Sequence, residues 1–155
     1  MPGTVRPIPE GYHTITPYLS VDGAAAAIEF YKNAFGAKEL FRMAGEGGRV
    51  GHAELQIGDS RLMLADEYPE MGFRGPKFRG GTSVMLHLYV DDVDTWFARA
   101  VAAGARVSRP VREEFYGDRT GSLEDPFGHS WSLATHIRDV SEEEMQKHAG
   151  ASSNP

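Results

Sequence analysis

Val21-Asp22 opens a segment that closes on Gly36-Ala37, and Val90-Asp91 opens another that closes on Gly104-Ala105. The Val-Asp pairs stand 69 residues apart and the Gly-Ala pairs 68, so one loop residue separates the two copies. Leu62-Met63-Leu64 against Trp131-Ser132-Leu133 returns to a spacing of 69. A unit repeated at this length predicts two copies of one supersecondary module, with the groove between them as the natural place for a site.

Outward from the first pair, Ile15, Pro17, Leu19 and Val21 alternate with Thr16, Tyr18 and Ser20, the pattern of a strand with one buried face beginning near residue 13. Asp22 is placed to cap a helix over 24–35, where Ala24, Ile28, Tyr31 and Phe35 form a helical stripe and Gly36 supplies the stop. Strands are expected over 38–43, 51–57 and 60–65, separated by a glycine-rich turn and by Gly58-Asp59. In the second copy Val84, Leu86, Leu88 and Val90 alternate with Met85, His87 and Tyr89. A helix over 93–103 and strands over 106–112, 119–123 and 130–135 follow.

Each copy reads strand, helix, strand, strand, strand. The fold class is α+β: two tandem βαβββ modules forming a cupped, incomplete barrel. A helix covers one face of its sheet, so the other face is left concave and open to a ligand. Period two assigns to it Thr16, Tyr18, His52, Glu54, Gln56, Met63, Met85, His87, Tyr89 and Ser132. The chain divides into an N-terminal arm (1–11), a first module (12–66), a linker or lid (67–82), a second module (83–138), and a short helix with a disordered tail (139–155). In the linker, Arg74, Lys77, Phe78 and Arg79 would close over an anionic ligand, against the plainer reading of a solvated charged loop. Asp118 and Arg119 are expected to form a local ion pair, and His136 and His148 to face solvent.

Composition narrows the function. The 155-residue chain has no apolar run of membrane-spanning length and no hydrophobic stretch near its start, so a cytoplasmic location and no membrane partner are expected. The absence of cysteine removes disulfides, thiolate nucleophiles and Cys-ligated metals. A net charge of −6 speaks against nucleic acid as a partner.

Pro17-Tyr18-Leu19-Ser20-Val21-Asp22, then Ala27-Ile28-Glu29-Phe30-Tyr31 and Gly36-Ala37, and Asp125-Pro126-Phe127-Gly128 before the last strand resemble the glyoxalase, bleomycin-resistance and extradiol-dioxygenase superfamily, the vicinal oxygen chelate proteins. The resemblance spans about 12–136. Gly51-His52-Ala53-Glu54-Leu55 and the long linker are more similar to its phosphonate-operon-associated (PhnB-like) group. The resemblance implies a homodimer and a divalent metal held by His, Gln or Glu on the first and last strand of each module. Matched onto this chain, those four positions are Thr16, Met63, Met85 and Ser132. Two thioethers and two neutral hydroxyls do not replace imidazole and carboxylate, so no metal and no cofactor is expected.

Two functions remain. The first is a metal-independent binder of a small organic ligand, held by Tyr18, His52, Glu54, Met63, Met85, His87, Tyr89 and Ser132, with no chemistry. The second is a lyase, isomerase or dioxygenase using His52 or Glu54 as general base, or a relocated metal on His52, Glu54 and His87. The binder leads, because the positions that would supply an electrophile carry none.

Overall fold

A computed structural model describes residues 3–149; the expected tail beyond them lies outside the described residues. The chain runs β1 (Tyr18–Val21), α1 (Ala24–Phe35), β2 (Lys38–Ala44), β3 (Val50–Ile57), β4 (Ser60–Asp66), α2 (Pro76–Arg79), β5 (Met85–Tyr89), α3 (Val93–Ala103), β6 (Arg106–Glu113), β7 (Asp118–Glu124), β8 (Ser130–His136) and α4 (Glu142–Ala149). The strands form two four-stranded mixed sheets, ordered β1-β4-β3-β2 and β5-β8-β7-β6. In each, the first strand lies parallel to the last and the other pairings are antiparallel. The modules repeat one topology and do not close into a barrel.

The two helices stop alike because Gly36 and Gly104 take positive φ (+65° and +120°), backbone that a Cβ disfavours, and their amides return to carbonyls of the last turn. Arg99 of α3 adds a tie across the modules, its Nε donating to Asn33 O at 2.7 Å and a terminal nitrogen to Lys32 O. The core is continuous between modules. Ala27, Ile28, Tyr31 and Phe35 of α1 join Leu55 and Leu64 beneath them and Leu123, Trp131 and Leu133 from the second sheet. The Phe35 and Trp131 rings lie 4.6 Å apart.

Two local expectations are corrected. The first strand begins at Tyr18, five residues later than the alternation predicts. Pro17 has no N–H for the ladder and only its carbonyl joins, accepting from Met63 N, while Ile15 ahead of it is 86% exposed. Asp22 does not cap α1. Gly23 holds the N-cap position, and Asp66 at the end of β4 accepts from Gly23 N and Ala24 N through Oδ1 and from Val50 N through Oδ2.

Candidate functional site

The concave face of the first sheet is assembled by its cross-strand register. Met43 stands opposite His52, Phe41 opposite Glu54, and Met63 opposite both Glu54 on one side and Tyr18 on the other. Three polar groups on this surface form one chain. The Tyr18 hydroxyl lies 2.7 Å from His52 Nδ1, and His52 Nε2 lies 2.8 Å from Glu54 Oε2. An ionised carboxylate only accepts, so the neutral imidazole carries its proton on Nε2 and Nδ1 accepts from Tyr18.

Tyr12, ahead of the sheet, donates to the other oxygen of Glu54. Its own hydroxyl is pushed up to about 12, by burial first and by the Glu54 carboxylate second. The same two donors, Tyr12 and His52, hold Glu54 below the usual carboxylate range. Glu54 is therefore an ionised anchor, poorly suited to take a proton at neutral pH. The arm is also tied at Glu10, whose carbonyl accepts from Arg61, while the Arg61 guanidinium lies 4.9 Å over the Tyr12 ring. Arm residues Pro7, Ile8 and Pro9 line a cavity of about 440 Å³ with Glu54 and Met63.

Around the polar chain the wall is aromatic and thioether. The Tyr18 ring meets His52 at 5.4 Å and Phe73 edge-on at 5.8 Å, yet 46% of the residue remains exposed. Phe41 lies 6.3 Å from His52, and Phe41 and Met43 are half exposed.

The second sheet presents a separate and more polar cluster. His87 Nδ1 lies 2.9 Å from Ser132 Oγ, and Ser132 Oγ lies 3.3 Å from Thr120 Oγ1. Tyr89 donates to the buried Asp118, which also faces His136 Nδ1 at 2.8 Å. Met85 opens its strand opposite Ser130 and is half exposed. His87, opposite Ser132, is the repeat mate of Tyr18, opposite Met63; Tyr89 lies two residues further on.

The expected pair Asp118–Arg119 does not form. Successive strand residues point to opposite faces, so Asp118 turns to the concave side while Arg119 reaches Asp94 on α3 at 2.8 Å. His136 is exposed, as expected, and carries two further contacts. It is clamped between Asp139 and Asp118, which raise its pKa in that order.

The eight predicted site residues thus fall into two groups, with Tyr18, His52, Glu54 and Met63 on one sheet and Met85, His87, Tyr89 and Ser132 on the other. Among the described residues no side-chain hydrogen bond or ring contact joins the groups. A cavity of about 260 Å³ does span the seam, bringing Thr16 and Arg61 to one wall and His87 and Trp131 to the other.

The donor set at the four metal positions of the resemblance does not fit a divalent cation. Thr16 and Ser132 offer neutral hydroxyls, the latter engaged with His87 and Thr120, and Met63 and Met85 offer thioethers. Among the described residues no three His, Asp or Glu side chains converge in a metal-holding group, and His52 with Glu54 stands apart from His87.

Sequence reasoning missed Tyr12, Phe41, Met43 and Thr120, and gave Asp118 only a local ion pair. For Phe41 and Met43 the reason is a bulge. Glu39 opposes Leu55 and Phe41 opposes Glu54, so two residues advance against one and the exposed parity of β2 switches at Leu40.

A model of the Glyoxalase/Bleomycin resistance protein/Dioxygenase superfamily matches residues 12–133. The chain belongs to this superfamily. Within it, the chain is 46% identical over 135 residues to the uncharacterized protein Rv0887c of Mycobacterium tuberculosis, covering 85% of this chain and 79% of that protein. The crystal structure of the Arabidopsis thaliana At5g48480 product is similar at 30% identity and a TM-score of 0.66, over 79% of this chain and 98% of that one. TioX from Micromonospora sp. ML1 follows at 27% identity and a TM-score of 0.65, over 81% and 99%. The similarity runs along nearly the whole length of both solved chains.

Proposed function

We propose that this glyoxalase-superfamily protein binds a small, flat organic molecule on the concave face of its first module without a metal. The observation that carries the reading is Tyr18. Its hydroxyl is committed to His52 and its ring meets Phe73 edge to face, which fixes a half-exposed ring beside Met63, with Phe41 on the far side of His52. A rigid aromatic face flanked by adaptable thioethers suits an aromatic or conjugated ligand. The uncongenial donor set at the superfamily's metal positions supports metal independence. Glu54, ionised and doubly bonded, disfavours the alternative in which it is a general base.

A homodimer and a cytoplasmic location belong to the same proposal. Leu40, Phe41 and Met43 leave apolar surface open on the outermost strand of the first sheet, which supports a second copy bracing the cup. No helix of the described residues is long and apolar enough to cross a membrane.

Calorimetric titration with a panel of planar aromatic amines and phenols tests the binding. Saturable binding by the parent that weakens about tenfold or more in Tyr18→Ala is expected from loss of the stacking face. Equal affinity in both proteins would remove Tyr18 from the site and with it the proposal's basis.

A further inference from the structure

The linker and the first strand line a third cavity, about 470 Å³, walled by Tyr18 and Ser20 of β1, Phe73 to Pro76 and Arg79 of the linker, Thr82 to Val84, and His129 ahead of β8. The protein as a whole carries 22 acidic against 16 basic side chains. This cavity inverts the balance. Among the described residues its wall holds Arg74, Arg79 and His129 and no carboxylate.

Glu67, the nearest acid, is already committed, accepting from Gly75 N at 2.6 Å and lying 3.5 Å from Arg74 Nε. His129 donates through Nε2 to the Ser20 carbonyl. Ser20 differs: the residue is 92% buried, and its hydroxyl has no hydrogen-bond partner among the described residues. A buried hydroxyl without a partner is uncommon unless something absent completes it. Arg74 is held flat against Phe78, its guanidinium 3.4 Å from the ring centre, and Arg79 is braced on the Gly72 carbonyl at 2.9 Å. Each bracing contact orders a side chain before any ligand arrives, and preorganised guanidinium groups favour planar or tetrahedral oxyanions.

We infer that this cavity binds the carboxylate or phosphoryl oxyanion of a small organic acid, with Arg74 and Arg79 as charge partners. The apolar side of the same wall, Tyr18, Val84 and Leu86, would take the body of the ligand. Because Tyr18 also faces the His52 chain, the anion site adjoins the proposed aromatic site, and the inference rests on that reading only for the ligand's aromatic part. The oxyanion contact stands on the cavity itself.

Four probes separate the two: inorganic phosphate, benzoate, phenyl phosphate and neutral benzamide, titrated while following backbone amide resonances. Saturable shifts at Gly75, Gly81, Thr82 and Ser83 with the anionic probes and not with benzamide are expected. Arg79→Gln should weaken them about tenfold or more, while Lys77→Gln, outside this wall, should leave them unchanged. Arg79→Lys, retaining the charge, should recover part of the loss, which a merely unfolded linker would not. A phosphate or phenyl phosphate response without a benzoate response assigns the site to phosphoryl groups. Benzamide binding as tightly as benzoate, with no phosphate shift, would leave the aromatic site standing and overturn the anion site. Equal weakening by Lys77→Gln would overturn it too, because diffuse charge would then suffice.

Discussion

The hydroxyl of Tyr31, on the first helix, donates to Asp125 Oδ2 of the second module at 2.6 Å, across 94 residues of sequence. Asp125 is the node of the seam. It also accepts from Trp131 Nε1 and, through its other oxygen, from the backbone amides of Phe127 and His129. Burial, and then the Asp125 carboxylate, hold the Tyr31 phenol well above its ordinary value, so it stays a donor throughout the accessible pH range.

Tyr31→Phe removes one bond of the node and should cost about 1–2 kcal/mol. Asp125→Ala abandons four donors at a buried position and should cost about 3–5 kcal/mol. Urea denaturation of the two variants measures both. A loss under about 0.5 kcal/mol for Asp125→Ala would mean that the seam is held by apolar packing alone.

Asp66 and Asp22 make a matched pair. Asp66 satisfies three backbone donors, while Asp22 is exposed and is not the cap of α1. Asp66→Ala should lower stability by about 2 kcal/mol, and Asp22→Ala by less than about 0.5 kcal/mol. Thermal unfolding of each decides it; the reverse ranking would return the capping role to Asp22.

The Tyr12–Glu54–His52 chain has a pH dependence of fixed sign. Glu54 is held below its ordinary value in the folded protein, by Tyr12 first and His52 second. Its contribution is therefore complete above the unfolded value of about 4.3 and is lost as pH falls through the lower folded value. The stability difference between the parent and Glu54→Gln should be constant from about pH 6 to 8 and shrink below about pH 4. A difference that grows on acidification would show that the carboxyl is protonated in the folded protein.

His52→Ala frees the Tyr18 hydroxyl and removes one neighbour of its ring. Aromatic-ligand affinity should fall about three- to tenfold, less than in Tyr18→Ala, because the stacking face itself survives. Titration calorimetry on both variants checks the order.

The repeat made the architecture legible, because Gly36 and Gly104 stop their helices for a backbone reason and Met63 and Ser132, 69 residues apart, hold matching places opposite Tyr18 and His87. Faces were legible wherever period two ran unbroken, as in β3 with His52, Glu54 and Gln56. They failed at Leu40, where a bulge shifts parity and carries Phe41 and Met43 onto the concave side. Tyr12 carried no local signal, since the contact that gives it a role spans 42 residues and depends on how the arm folds back. Asp125 was visible only within a turn motif, and its service to Tyr31 and Trp131 needed the modules docked.

Metal independence is the central claim, and one measurement addresses it directly. Protein purified without chelator is assayed for bound divalent metal, and aromatic-ligand affinity is then measured before and after exhaustive EDTA treatment. The account predicts substoichiometric metal and the same affinity in both samples. Stoichiometric metal whose removal abolishes binding would contradict it.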